Sequence, residues 1–336
     1  MKKIKNFKIL FLLACGLFSC ETILDEIPSN KLFNTEPQIV IASFISPQDT
    51  EIYVKITESS PLFTDYKTSN AGFVVDNGDT LVNDNSNVLN DAVVSISNGT
   101  QTEFLTFDKK FQIYKISTSK FPLRGGLTYT LKAQSKGRTA QSTCIIPARR
   151  AQIQNFSIDS TSQSGFGFSR KGYKVQFKWT DIANQADSYR VRAYIEFEYL
   201  EPTIKKDSEV VFEKKTGRTA ANWNGRFTDT DAYIEDLNQD GMTMQSPVGT
   251  IFPNLPNRTI SYKETIYSNK FSDKKPKFVI ELLSIEENYK KYHLSIIKHE
   301  NAENNPFAEP YSVYSNVKGG LGCFGASNRR IVTTIQ

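Results

Sequence analysis

The chain has 336 residues, 39% hydrophobic and 23% charged, which is enough for two domains or one large one. Its formal charge of +5 falls to +1 when residues 1–19, with four lysines and no acids, are set aside. Nothing in this balance calls for a nucleic-acid partner, which would want clustered Lys and Arg interleaved with aromatics.

Lys2, Lys3, Lys5 and Lys8 precede an apolar run over residues 9–18. That is a positive n-region and an h-region of secretory length, much shorter than the roughly 20 residues a membrane span needs. Leu17-Phe18-Ser19-Cys20 has the order of a bacterial lipobox, a small residue before a cysteine whose thiol receives diacylglycerol. Leu12-Leu13-Ala14-Cys15 matches locally, but cleavage there would leave Gly16-Leu17-Phe18 as an apolar stub, so Cys20 is the favoured lipidation site. Residues 1–19 are then the lipoprotein signal peptide. Each buried lipid methylene contributes about 0.8 kcal/mol, so several acyl chains hold a protein on a bilayer without a transmembrane helix.

Residues 20–36 carry Pro28, Ser29 and Asn30 with little periodicity and read as a lipidated tether. From residue 37 the pattern has period two. Ile52, Val54 and Ile56 alternate with Tyr53, Lys55 and Thr57, Ala92, Val94 and Ile96 with Val93, Ser95 and Ser97, and Tyr129, Leu131 and Ala133 with Thr130, Lys132 and Gln134. Gly125-Gly126 and Lys136-Gly137 supply turns, and Pro147 ends the series. Residues 37–148 are therefore expected to form a first β-sandwich of immunoglobulin-like or transthyretin-like type. The Asn- and Asp-rich residues 76–90 read as a long exposed loop.

A second β-sandwich is expected over residues 151–336. Tyr173, Val175, Phe177 and Trp179 share one face, and after a turn Tyr189, Val191, Ala193, Ile195 and Phe197 repeat the alternation, the pattern of a hairpin with Trp179 plugging the core. Residues 201–270 are polar, with Val210-Val211-Phe212 and Thr265-Ile266-Tyr267 as strands. Phe278-Val279-Ile280-Glu281-Leu282-Leu283 reads as a central strand. Ser284 and Glu287 then have capping-box spacing, and Tyr289, Tyr292, Ile296 and Ile297 predict one amphipathic helix over about 285–300. Residues 329–335 read as a last strand. The expected fold is thus mainly β, two tandem sandwiches and one C-terminal helix.

Motifs for chemistry are sparse. His293 and His299, the only histidines, lie six apart on one helix and diverge by about 120°, which does not make an i, i+4 metal pair. Neither a Gly-x-Ser-x-Gly elbow nor a phosphate-binding glycine pattern is present, and the chain is expected not to be an enzyme and to need no cofactor. Asp236, Asn238 and Asp240 before Gly241 have the alternation of an EF-hand-type calcium loop, but Pro247 stands where the bidentate Glu is needed. Calcium is disfavoured, and an Asx-rich turn before a strand is the better reading. Cys144 and Cys323 either pair or are two buried small hydrophobes.

The closing residues 305–326 are the most distinctive. Asn305-Pro306-Phe307-Ala308-Glu309-Pro310 is followed by Ser315-Asn316-Val317-Lys318-Gly319-Gly320-Leu321-Gly322-Cys323-Phe324-Gly325-Ala326. With the lipobox-like start, this resembles the Bacteroidota outer-membrane lipoproteins grouped as domain of unknown function 4249, which end in NPF-x-EP and SN-x-x-GGLG-x-FGA. The chain departs from that pattern at Cys323, where an apolar residue is more typical. The resemblance implies attachment to the outer membrane through lipid on Cys20. Glu21, Asp25 and Glu26 resemble the surface-export signal of such lipoproteins, which implies a face turned to the cell exterior. Asp79-Thr80-Leu81 and Asp159-Ser160-Thr161 resemble O-glycosylation sites of that phylum, at Thr80 and Ser160.

By the same resemblance the expected role is an accessory to a TonB-dependent β-barrel transporter. The alternatives are a stand-alone glycan- or peptide-binding lipoprotein and an accessory subunit of an outer-membrane assembly or secretion complex. Phe307, Pro310, Tyr314 and Phe324 are candidates for docking a partner. Equally, these aromatics could pin the chain end to the second sandwich.

Overall fold

The computed structural model describes residues 36–59, 72–76, 79–83, 87–165, 168–205, 209–223, 229–237, 239–303, 309 and 311–335. Residues 1–35, on which the expected signal peptide, Cys20 and nearly all of the expected tether fall, lie outside them. All the described strands and the described α-helix belong to one compact unit, Gln38–Ser59 with Tyr66–Gln336. The chain is mainly β, with several sheets and, among the described residues, one α-helix near its carboxyl end. Among the described residues no helix is long and apolar enough to cross a membrane.

The first half supplies β1 (Ile39–Ile45), β2 (Glu51–Glu58), β3 (Gly72–Asp76), β4 (Asp79–Asn83), β5 (Val93–Ser97), β6 (Thr102–Phe104), β7 (Thr106–Asp108), β8 (Ile113–Ser117), β9 (Thr128–Ser135) and β10 (Arg138–Ile145). The period-two residues point inward: Val54, Ile56, Tyr129, Leu131 and Ala133 are all 0% exposed. Residues 76–90 are not a plain loop. β3 and β4 pair antiparallel with Gly72 opposite Asn83, because the Val- and Leu-bearing runs favour strand despite their Asn- and Asp-rich surroundings.

The second half supplies β11 (Gln152–Gly165), β12 (Phe168–Thr180), β13 (Ser188–Ile204), β14 (Val210–Ala220), β15 (Tyr233–Glu235), β16 (Thr243–Gln245), β17 (Gly249–Ile251), β18 (Thr259–Tyr262), β19 (Thr265–Ser268), β20 (Lys270–Phe271), β21 (Lys277–Ile285), helix α1 (Glu287–Glu303) and β22 (Gly320–Ile335). One ten-stranded sheet runs β14-β13-β21-β22-β1-β2-β8-β7, with β15 and β20 also paired to β13. Two four-stranded sheets, β10-β9-β5-β6 and β11-β12-β16 with β17 on β12, complete two cores against it. The first core joins Ile41, Val54 and Ile116 of the long sheet to Val94, Leu131 and Cys144. The second joins Val191, Ile195 and Ile280 to Val175, Phe177 and Trp179. Each such fully buried aliphatic or aromatic side chain contributes about 2 kcal/mol.

β22 is the joint between the halves. Its first part pairs parallel with β1, Gly320 opposite Ile39 through Ala326 opposite Ile45, and its second part pairs antiparallel with β21, Ser327 opposite Ile285 through Ile335 opposite Lys277. The final strand is therefore much longer than the sequence indicates, because the glycine signature is itself strand. Gly322 has φ +99°, and a Cβ there would collide with the Ile41 carbonyl oxygen. The closing segment, grouped by sequence with the second sandwich, places Val317, Phe324 and Ala326 in the first core.

The helix differs from expectation at its start. Ser284 does not cap it: Ser284 and Ile285 extend β21, buried at 1% and 6% exposure. The Ser284 hydroxyl instead accepts from the Ala151 amide at 3.4 Å. Glu286 opens the helix, its carbonyl accepting from Lys290 N–H at 3.1 Å. Burial of β21 thus overrides the local capping signal. Tyr289 on α1 stands edge-on to Phe44 of β1, 5.3 Å between ring centres, so the helix packs over the joint.

Candidate functional site

A cleft of about 640 Å³ opens between β12, β13 and residues 253–276, within the roughly 300–1,000 Å³ usual for small-molecule sites. Its floor is apolar. Ile195 is fully buried and Phe197 nearly so, both facing inward by the alternation of β13, and Tyr173 on β12 is held edge-on to Phe278 at 4.8 Å. Phe271 forms a wall. It is fixed by pairing with Tyr199 and by an edge contact with Phe197 at 5.4 Å, yet it is 49% exposed. A ring held in place but half open to water is a ready stacking surface.

Local chemistry shapes the mouth. A Cβ on Gly172 would lie 2.6 Å from the Ile251 carbonyl oxygen, so only glycine lets the chain after β17 lie this close to β12 and carry Pro253, Asn254 and Leu255 over the cleft. On the opposite side the Ser272 amide donates to the Glu198 carbonyl at 3.1 Å, tying residues 271–276 to β13. The rim carries Arg170, Lys171 and Lys274, all exposed. Arg170 reaches the Phe252 carbonyl at 3.5 Å and lies 6.0 Å from that ring's centre. Glu198, the lone carboxylate of the lining, has Lys214 Nζ 3.7 Å away.

Sequence reasoning missed this cleft, since its residues are scattered over 169–276 and carry no motif. The one signal available was Phe271, an aromatic in a polar stretch with no periodic partner.

The residues singled out in the closing signature are structural where they are described. Phe324 is 0% exposed in the first core and offers a partner no surface. Tyr314 is half-buried; its hydroxyl donates to Asn288 Oδ1 at 2.6 Å and its amide donates to Ser295 Oγ at 2.8 Å. Phe307 and Pro310 lie outside the described residues. Beside the signature, Glu286 accepts from the Ala326 amide at 3.0 Å and from the Asn288 side chain. Burial pushes its carboxyl up to about 7.

Asp236 and Asp240 do come together, and the structure adds Asp181: one carboxylate oxygen from each lies within 4.8 Å of the others. Among the described residues these carboxylates are close enough to share a cation, a spacing that acidic groups near a surface also adopt without one; Asn238 lies outside the described residues. Their oxygens also have protein partners. Tyr189 Oη and the Gly241 amide donate to Asp181 at 2.7 and 2.8 Å, and the Asn184 amide donates to Asp240 at 2.7 Å. Burial raises the neighbouring Asp187, with the charges of Asp181 and Asp236 adding to the effect. The arrangement ties a turn before β16 to the 181–187 turn.

Cys144 and Cys323 are both free and buried, and burial pushes both thiols well above the ordinary range. His293 stacks on Tyr289 at 4.2 Å, whereas His299 Nδ1 lies 2.7 Å from the Tyr311 carbonyl, so the two serve separate contacts. Ser160 is exposed on β11, and Thr80 lies in β4 opposite Val75.

A search of curated proteins found no match. A family model described as "Domain of unknown function (DUF4249)" matches residues 21–331, which is nearly the whole chain, and the protein therefore belongs to that family.

Proposed function

We propose that this chain is a non-enzymatic outer-membrane lipoprotein, anchored by lipid on Cys20, whose cleft binds a small ligand and presents it to a TonB-dependent β-barrel transporter. The observation that carries the binding role is the half-exposed Phe271, in edge contact with Phe197, lining with Tyr173 and Ile195 a cleft of about 640 Å³. A concave apolar site with a few convergent polar groups is the usual form of a ligand pocket. The anchor is supported by the order Leu17-Phe18-Ser19-Cys20, and the transporter by the resemblance of the closing signature.

The test is purification of the full-length lipoprotein from detergent-solubilised outer membrane, with mass spectrometry of both copurifying proteins and solvent-extracted small molecules. A stoichiometric TonB-dependent barrel is expected, together with a small molecule that the Phe271→Ala protein no longer carries. Recovery of a barrel without any small molecule in either protein would sink the binding role. Recovery with a small molecule but no barrel would leave a stand-alone binding lipoprotein.

A further inference from the structure

We infer that the cleft selects amphipathic organic anions, small molecules with an aromatic or aliphatic body and a carboxylate, sulfate or phosphate group. The inference rests on the cleft being the ligand site and adds the class of molecule it takes. Three cationic side chains, Arg170, Lys171 and Lys274, meet at its rim against one acid, Glu198. The acid has its own counter-charge in Lys214 at 3.7 Å. Among the described residues no carboxylate forms an ion pair with any of the three rim cations.

The apolar and charged parts are adjacent. Lys171 and Tyr173 are two apart on β12 and share a face, and Lys274 follows Phe271 by one short turn. A ligand whose body lies against Phe271, Tyr173 and Phe197 therefore places its head group beside Lys171 and Lys274. Charge-assisted hydrogen bonds from ammonium or guanidinium groups are about twice as strong as neutral ones, and the apolar wall focuses the field of the rim. A cationic ligand would meet three like charges, and a neutral one would leave them uncompensated. The volume fits one drug-sized molecule.

The experiment compares three probes that share one ring system: naphthalene-2-carboxylate, naphthalen-2-ylmethylammonium and 2-naphthyl β-glucoside. Each is titrated calorimetrically into the full-length lipoprotein in lipid nanodiscs, with empty nanodiscs as the blank. The carboxylate is expected to bind at least tenfold more tightly than the other two, about 1.4 kcal/mol, and to weaken with added salt. The Lys171→Glu/Lys274→Glu double variant is expected to abolish that preference, and Phe271→Ala to weaken all three probes. These side chains are exposed, and unchanged melting curves would show that the variants fold. Equal binding of the three probes, weakened by Phe271→Ala, would overturn the anion selectivity while leaving the cleft as the site. Binding of all probes untouched by Phe271→Ala would overturn the cleft and the selectivity together.

Discussion

The side-chain amide of Asn316 grips the backbone of Phe324: its Nδ2 donates to the Phe324 carbonyl at 2.8 Å, and its Oδ1 accepts from the Phe324 amide at 3.1 Å. The same Nδ2 reaches the Thr143 carbonyl of β10 at 3.3 Å, and Ser142 donates its hydroxyl to the Asn316 carbonyl at 3.1 Å. One side chain thus serves as a strand partner where β22 enters the first core, satisfying backbone groups that would otherwise be buried unpaired.

Asn316→Ala removes this grip and leaves the Phe324 amide and carbonyl without it. The expected cost is about 1–3 kcal/mol, read as a lower midpoint in urea unfolding. Asn316→Asp keeps the acceptor, loses the donor and is expected to fall between the two.

Gly322→Ala adds a Cβ at φ +99°, where it would meet the Ile41 carbonyl. Strain and collision act together, so a loss of at least about 2 kcal/mol is expected. Because Gly322 faces Ile41 in the parallel pair, hydrogen exchange should quicken in β1 and β22 before it does in β13. An unchanged melting temperature would refute the close approach of the two strands.

Glu286 gives a pH dependence with a defined sign. Its folded carboxyl is raised from 4.5 to about 7 by burial, so between those values the folded chain holds a proton that the unfolded chain has released. Stability therefore falls as pH rises from 4.5 through about 7, by roughly 2 kcal/mol after allowing for partial exposure. Glu286→Gln is expected to remove this slope and to melt higher than the parent at pH 8; denaturant titrations at pH 5 and pH 8 check both.

Arg192 and Glu281 form an ion pair between β13 and β21 at 2.7 Å, with side-chain exposure of 10% and 4%. Glu281→Leu alone strands a buried charge and should cost about 3–5 kcal/mol, whereas Arg192→Met/Glu281→Leu should recover most of that loss. A double variant no more stable than the single one would show that the pair contributes more than it costs to bury.

The strands were readable because their information is local. Ile52, Val54 and Ile56 point inward as their period demands, and the Trp179 hairpin holds Trp179 at 0% exposure. Phe278, Val279, Ile280, Leu282 and Leu283 are all buried, as expected of a strand covered on both faces. The capping box failed because Ser284 lies where packing of β21 outweighs one local hydrogen bond. The φ freedom of the signature glycines is legible in sequence, whereas the Ile41 carbonyl that requires it at Gly322 lies far away in the chain.

The β class, the inward faces of the strands, the late α-helix and the family are each written in residues close together in the chain. That β22 pairs with β1, and so places the signature in the first core, emerged with the folded chain. It alone brought Asp181 to Asp236 and Asp240, and Tyr173 and Phe197 to Phe271 and Lys274. The physical reason is common to all three: strand pairing and apolar burial act between residues tens to hundreds of positions apart, and no periodicity records which strands will meet.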